Sequence, residues 1–231
     1  MYEERLRENL PRIREAIEAA ANRVGRGEGE VTLVAVTKAH PPEAIKAALT
    51  YGLTDLGENR IEELQEKVDL LGRDAGTWHM VGHLQSRKAR QAAELADLVH
   101  SVDSLKLGRR LSSFSLEDGR RTSVLVQVNV SGEAVKSGFT PPEAVEAIHE
   151  LVELQGLQIR GLMTMAPFVD NEKVVRGTFL KLRGIQEKAA RIQAYEGTEL
   201  SMGMTNDFAL AVEEGSTMVR IGTALFGERL R

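Results

Sequence analysis

The 231-residue sequence is 42% hydrophobic with a formal charge of -4, enough apolar material for one sizeable core and no global attraction for nucleic-acid phosphates or anionic lipid. It has no cysteine, which excludes a disulfide framework and a thiolate metal site. The opening, Met1-Tyr2-Glu3-Glu4-Arg5-Leu6-Arg7, is charged rather than signal-like, and no later run approaches ~20 apolar residues. These features predict a cytoplasmic, soluble protein with a small-molecule partner, no nucleic acid and no membrane.

Leu6, Leu10, Ile13, Ile17, Ala20, Ala21 and Val24 recur at helical spacing, predicting an amphipathic N-terminal helix over about residues 2–24 that docks on the body of the protein. From Val31 short β-branched runs alternate with amphipathic segments. The expected strands are Val31 to Lys38, Asp55 to Asn59, Thr77 to Gly82, Asp97 to Val102, Ser123 to Val130, Leu157 to Met165, Glu199 to Met204 and Met218 to Gly222. Each but the last is followed by a convincing helix, and the pairs Pro41-Pro42 and Pro141-Pro142 fit helix starts. No linker interrupts the series, so the expectation is one domain over 1–231, an α/β fold of the single (β/α)8 TIM type with an extra N-terminal helix. Near-continuous apolar strands such as Val124 to Val130 suit strands covered on both faces, and also an open doubly wound sheet. An all-parallel barrel needs no oligomerisation, and a monomer is expected.

In such a barrel chemistry sits at the C-terminal ends of the strands. Lys38 shares the parity of Thr32, Val34 and Val36, so if these point inward its amine reaches the mouth, where desolvation favours the neutral nucleophile. A solvated loop lysine is the plain alternative. Arg220, inside the run Met218-Val219-Arg220-Ile221-Gly222, needs a partner in the barrel, and a structural salt bridge would serve. The segment Ser201-Met202-Gly203-Met204-Thr205-Asn206-Asp207 and the pair Gly222-Thr223 offer small residues at the last two loops, the usual phosphate site of this fold. Local capping explains some of them, with Asn206 or Asp207 expected to cap the next helix. His79 and His83 have metal-like spacing but no evident third ligand. These residues would also suit a Schiff-base aldolase.

Six segments in this order carry a specific resemblance: Val34 to Lys38, Gly57-Glu58-Asn59, Trp78 to Lys88, Gly161 to Met165, Leu200 to Met204 and Gly215 to Thr223. Across nearly the whole chain the sequence resembles the pyridoxal phosphate homeostasis protein family, related in fold to the N-terminal barrel of bacterial alanine racemase. The resemblance implies pyridoxal 5'-phosphate (PLP) as cofactor, with Lys38 as the Schiff-base lysine and Arg220 at the pyridine nitrogen. It further implies that Ser201, Gly222 and Thr223 hold the phosphate, with Gly203 beside them and Asn59 lining the cofactor. Lys136 resembles a basic loop motif of the family, a second amine or phosphate contact; a solvated loop lysine is the simpler account.

An arginine at the pyridine nitrogen disfavours its protonation and weakens the ring as an electron sink. Related racemases also take a tyrosine from a further domain, and none of Tyr2, Tyr51 and Tyr195 ends an expected strand. The resemblance therefore implies a non-catalytic PLP carrier in vitamin B6 and amino-acid homeostasis, with apo PLP-dependent enzymes as recipients. A low-activity PLP-dependent racemase is the main alternative, and an interaction protein that signals cofactor occupancy is a third.

Overall fold

A computed structural model describes residues 1–133 and 135–228. The elements run α1 Tyr2–Arg23, β1 Thr32–Val36, α2 Pro42–Thr50, β2 Asp55–Glu58, α3 Ile61–Leu71, β3 Thr77–Met80, α4 Ala89–Leu95, β4 Leu98–Val102 and α5 Leu105–Glu117. They continue with β5 Thr122–Gln127, α6 Pro141–Val152, β6 Leu157–Met163, α7 Glu172–Ala189, β7 Glu199–Ser201, α8 Phe208–Glu213, β8 Met218–Ile221 and α9 Thr223–Phe226. The strands close in sequence order, all parallel, with β8 returning to β1 through Thr32↔Met218 and Val34↔Arg220. This is the (β/α)8 barrel; the open-sheet alternative is excluded by that closing seam.

Both Pro pairs stand at helix starts. Pro41 precedes α2, and α6 begins at Pro141 behind a Thr140–Glu143 capping box, where a missing proline N–H costs nothing. The strands are shorter than expected, mostly at their C-terminal ends. β1 stops at Val36, β5 at Gln127, β6 at Met163 and β7 at Ser201, each two or three residues before the expected strand end. Those departing residues form the mouth of the barrel.

The opening helix has a structural place that explains the weak last βα unit. α9 is a single turn, too short to cover β8, and α1 packs against α8, α9 and α2, occupying the slot of an eighth outer helix. Its stripe of Tyr2, Leu6, Leu10, Ile13, Ile17, Ala20 and Ala21 is buried, whereas Val24 lies past the helix and is exposed. Most of the core is the layer between strands and helices; Leu98, Leu125, Met163 and Met218 form a smaller separate cluster. Among the described residues no helix is long and apolar enough to cross a membrane.

Candidate functional site

A cavity of about 700 Å³ opens at the C-terminal mouth, its walls including Lys38, Asn59, His83, Gln127, Arg220 and Thr223. Lys38 lies two residues beyond β1 in a turn held from several sides. Thr37 N–H donates to the Gly57 carbonyl at 3.0 Å, and Ala39, at φ 57°, donates its N–H to Glu63 Oε2 at 2.8 Å. The Lys67 ammonium donates to the Thr37 carbonyl at 2.8 Å, and the Thr37 hydroxyl donates to Glu58. Lys67 and Glu58 form a buried ion pair at 2.5 Å. Burial pushes the Glu58 carboxyl above its ordinary range against the pull of Lys67, and its Oε2 has no hydrogen-bond partner among the described residues.

Arg220 is buried in β8 and opens onto the same cavity. Its Nη1 donates to Ser201 Oγ at 2.6 Å and its Nη2 to the Thr164 carbonyl at 3.0 Å. The salt bridge considered for it is not what holds it: these acceptors are neutral. Burial lowers its pKa to about 10, against the charge of Asp207, so it remains a cation at neutral pH. Behind Ser201 a polar chain crosses the barrel interior. Ser201 Oγ lies 2.9 Å from His100 Nδ1, His100 Nε2 lies 2.9 Å from His79 Nδ1, and His79 Nε2 lies 3.1 Å from Asp55 Oδ1. His100 is fully buried; desolvation first, then His79 and Arg220, hold its pKa well below the usual histidine value.

The structure brings Lys38, Asn59, Arg220, Gly222 and Thr223 together on the cavity wall and leaves Ser201 and Gly203 off it. Ser201 is buried and accepts from Arg220. The hydroxyl that lines the cavity from this loop is Thr205. Gly203 adopts φ 95°, and a Cβ there would come within 2.6 Å of the Ala211 Cβ; its carbonyl accepts from Arg220 N–H at 3.0 Å. Gly222 allows close approach, since a Cβ would sit 2.9 Å from the Val36 carbonyl oxygen.

Asp207 stands at the N-cap position of α8 but does not cap it with its side chain. Its carboxylate turns back to accept from Met204 N–H at 2.5 Å, and burial raises its pKa. Lys136 lines the cavity, paired with Glu133 and donating to the Ala166 carbonyl at 3.1 Å, which replaces the picture of a solvated lysine. His79 faces the interior while His83 lies at the mouth, 3.0 Å from Asp103 Oδ2; among the described residues no three His, Cys, Asp or Glu are grouped to hold a metal. None of the three tyrosines lines the cavity. Sequence reasoning missed His100 and Gln127, although both stand on the inward parity of apolar strands, where a polar side chain is a signal.

An amine, a guanidinium, threonine hydroxyls and a glycine that admits close backbone approach fit an anionic aldehyde with a ring nitrogen. The family model described as "Alanine racemase, N-terminal domain" matches residues 9–230. Two curated relatives named "Pyridoxal phosphate homeostasis protein" are similar: that of Aquifex aeolicus is 38% identical over 96% of this chain and 97% of its own length, and that of Escherichia coli K12 is 39% identical over 96% and 95%. Among solved structures, PipY of Synechococcus elongatus with PLP bound is 38% identical, with a TM-score of 0.80 over 92% of this chain and 99% of that one. Clostridium difficile alanine racemase, 18% identical with a TM-score of 0.77 over 97% of this chain and 57% of that one, shares the fold. The chain belongs to the alanine racemase N-terminal domain family, alongside the relatives named pyridoxal phosphate homeostasis proteins.

Proposed function

We propose that this single-domain, monomeric protein holds PLP as a Schiff base on Lys38 and serves intracellular PLP and amino-acid homeostasis as a carrier, without strong catalysis of its own. The observation that carries the reading is the presence of Lys38 and Arg220 on one cavity wall. When bound, PLP supplies an aldehyde that condenses reversibly with a primary amine, releasing water. Lys38 is the amine, and the clamped turn beneath it fixes where that amine stands. Thr205, Gly222 and Thr223 receive the phosphate, and Asn59 packs along the ring.

Arg220 presents a charged donor to the pyridine nitrogen, which keeps that nitrogen unprotonated and the ring a poor electron sink. With no tyrosine on the wall to pair with Lys38 in proton exchange, the site favours storage over turnover. At the rim Val135 and Phe168 are 92% and 90% exposed, an apolar landing surface for a recipient apo-enzyme.

The test is an absorbance titration of wild type and Lys38→Ala with PLP, followed by borohydride reduction and peptide mapping. A visible band that needs Lys38 and a reduced adduct on that residue are expected. An adduct scattered over surface lysines would overturn the assignment, and deuterium uptake at the α-carbon of alanine above the Lys38→Ala background would overturn the non-catalytic part.

A further inference from the structure

The polar chain through the barrel has only one proton arrangement that satisfies every member. Arg220 has donors and no acceptor, so Ser201 Oγ must accept from it. At the far end the Asp55 carboxylate accepts, so His79 carries its proton on Nε2. A neutral His79 then offers Nδ1 as a bare acceptor, which requires His100 to carry its proton on Nε2 and donate it across the 2.9 Å contact. His100 Nδ1 is left bare, and the Ser201 hydroxyl donates to it. Every hydrogen bond points the same way, from Arg220 towards Asp55.

The reverse arrangement needs His79 as an imidazolium and His100 donating into Ser201. That places a second cation in the interior with Arg220, makes Ser201 Oγ the target of two donors, and leaves its own hydroxyl proton without an acceptor among the hydrogen bonds of the described residues. Both features are costly where water is excluded.

We infer that Asp55, His79, His100 and Ser201 form a one-way hydrogen-bond relay whose two neutral histidines are positioning residues for Arg220. The relay joins a buried cation to a partly exposed carboxylate through three neutral, aligned links. It presents the lone-pair side of Ser201 to Nη1, while the Thr164 carbonyl fixes Nη2, so the guanidinium plane is set from behind. Among the described residues no carboxylate pairs directly with Arg220, and its charge stays directed at the cavity. Asp55, 30% exposed at the start of β2 and absent from the cavity wall, thereby influences a ligand it does not touch. The effect on PLP rests on the proposed cofactor reading; the tautomers do not.

The experiment is nitrogen-15 NMR of imidazole-labelled full-length protein without cofactor, together with PLP titration of wild type and Asp55→Asn. Both His79 and His100 are expected as neutral Nε2–H tautomers. In Asp55→Asn, with its fold checked by melting, the His79 resonances shift, the absorbance band of bound PLP moves and affinity weakens about threefold or more. A neutral Nδ1–H tautomer or an imidazolium at either histidine overturns the relay. So does an Asp55→Asn variant that binds PLP with the wild-type band and affinity. If wild type shows the expected tautomers and binds no PLP, the relay stands as the support of Arg220 and the cofactor reading is what fails.

Discussion

Lys67 and Glu58 face each other at 2.5 Å inside the protein, and through Thr37 the pair holds the turn that carries Lys38. Replacing one partner strands the other's charge in the interior. Lys67→Met is expected to cost about 3–5 kcal/mol in urea unfolding, with Lys67→Met/Glu58→Leu recovering much of the loss. A single variant within about 0.5 kcal/mol of wild type would show that the pair does not hold the turn.

Thr205, rather than Ser201, puts a hydroxyl on the cavity wall from the β7 loop. Thr205→Val keeps the shape and removes the donor, so PLP affinity should fall roughly five- to tenfold, equivalent to about 1–1.4 kcal/mol, with little change in melting temperature. Isothermal titration distinguishes this from the alternative, in which affinity is unchanged and the phosphate lies elsewhere.

Glu213 binds Arg176 at 2.5 Å and Arg23 at 2.6 Å, tying α8 to α7 and α1. These partners, Arg176 first, hold its carboxyl below the ordinary value of 4.5. A lowered folded pKa means stabilisation that is present above 4.5 and lost as pH falls through the folded value. Arg176→Gln should therefore reduce stability at neutral pH by about 1 kcal/mol and shrink the stability lost between pH 5 and pH 3. Urea unfolding at several pH values reads both; a variant whose loss is the same at pH 3 as at pH 7 would contradict it.

Arg5 and Asn9 lie one helical turn apart on α1 and donate to the Phe226 and Leu225 carbonyls at the end of α9. Tyr2, on the same face, meets His40 at 3.2 Å just beyond the Lys38 turn. Arg5→Ala should cost about 1.5–3 kcal/mol through the orphaned carbonyl and lost packing. The Gly222–Thr223 end of the site should loosen with it, seen as faster amide hydrogen exchange there. Exchange confined to α1 would show that the helix only covers the barrel.

The βα alternation was legible because each buried strand is a short β-branched run and each helix has one apolar face. Strand ends were not, because Val128, Val130 and Met165 stay apolar after the ladder has ended, the two valines buried in the core and Met165 lining the cavity. The phosphate role of Ser201 came from the resemblance, and the run Ser201-Met202-Gly203-Met204-Thr205 does not show that Gly203, at φ 95°, breaks the two-residue alternation before Thr205, the hydroxyl residue that lines the cavity. The place of α1 depends on α9 being one turn long, a tertiary vacancy that the pattern of α1 alone cannot show. His100 sits in Leu98-Val99-His100-Ser101-Val102 with the parity of Leu98, yet its partners lie far along the chain, His79 on the adjacent strand β3 and Ser201 across the barrel on β7.

The most direct measurement is a crystal structure of the protein grown with PLP. Continuous density is expected from Lys38 Nζ to the cofactor's aldehyde carbon, with the Arg220 guanidinium at the pyridine nitrogen and the phosphate among Thr205, Gly222 and Thr223. A cofactor seated elsewhere, or in this cavity with Lys38 unlinked and Arg220 turned away from the ring, would contradict the proposed site.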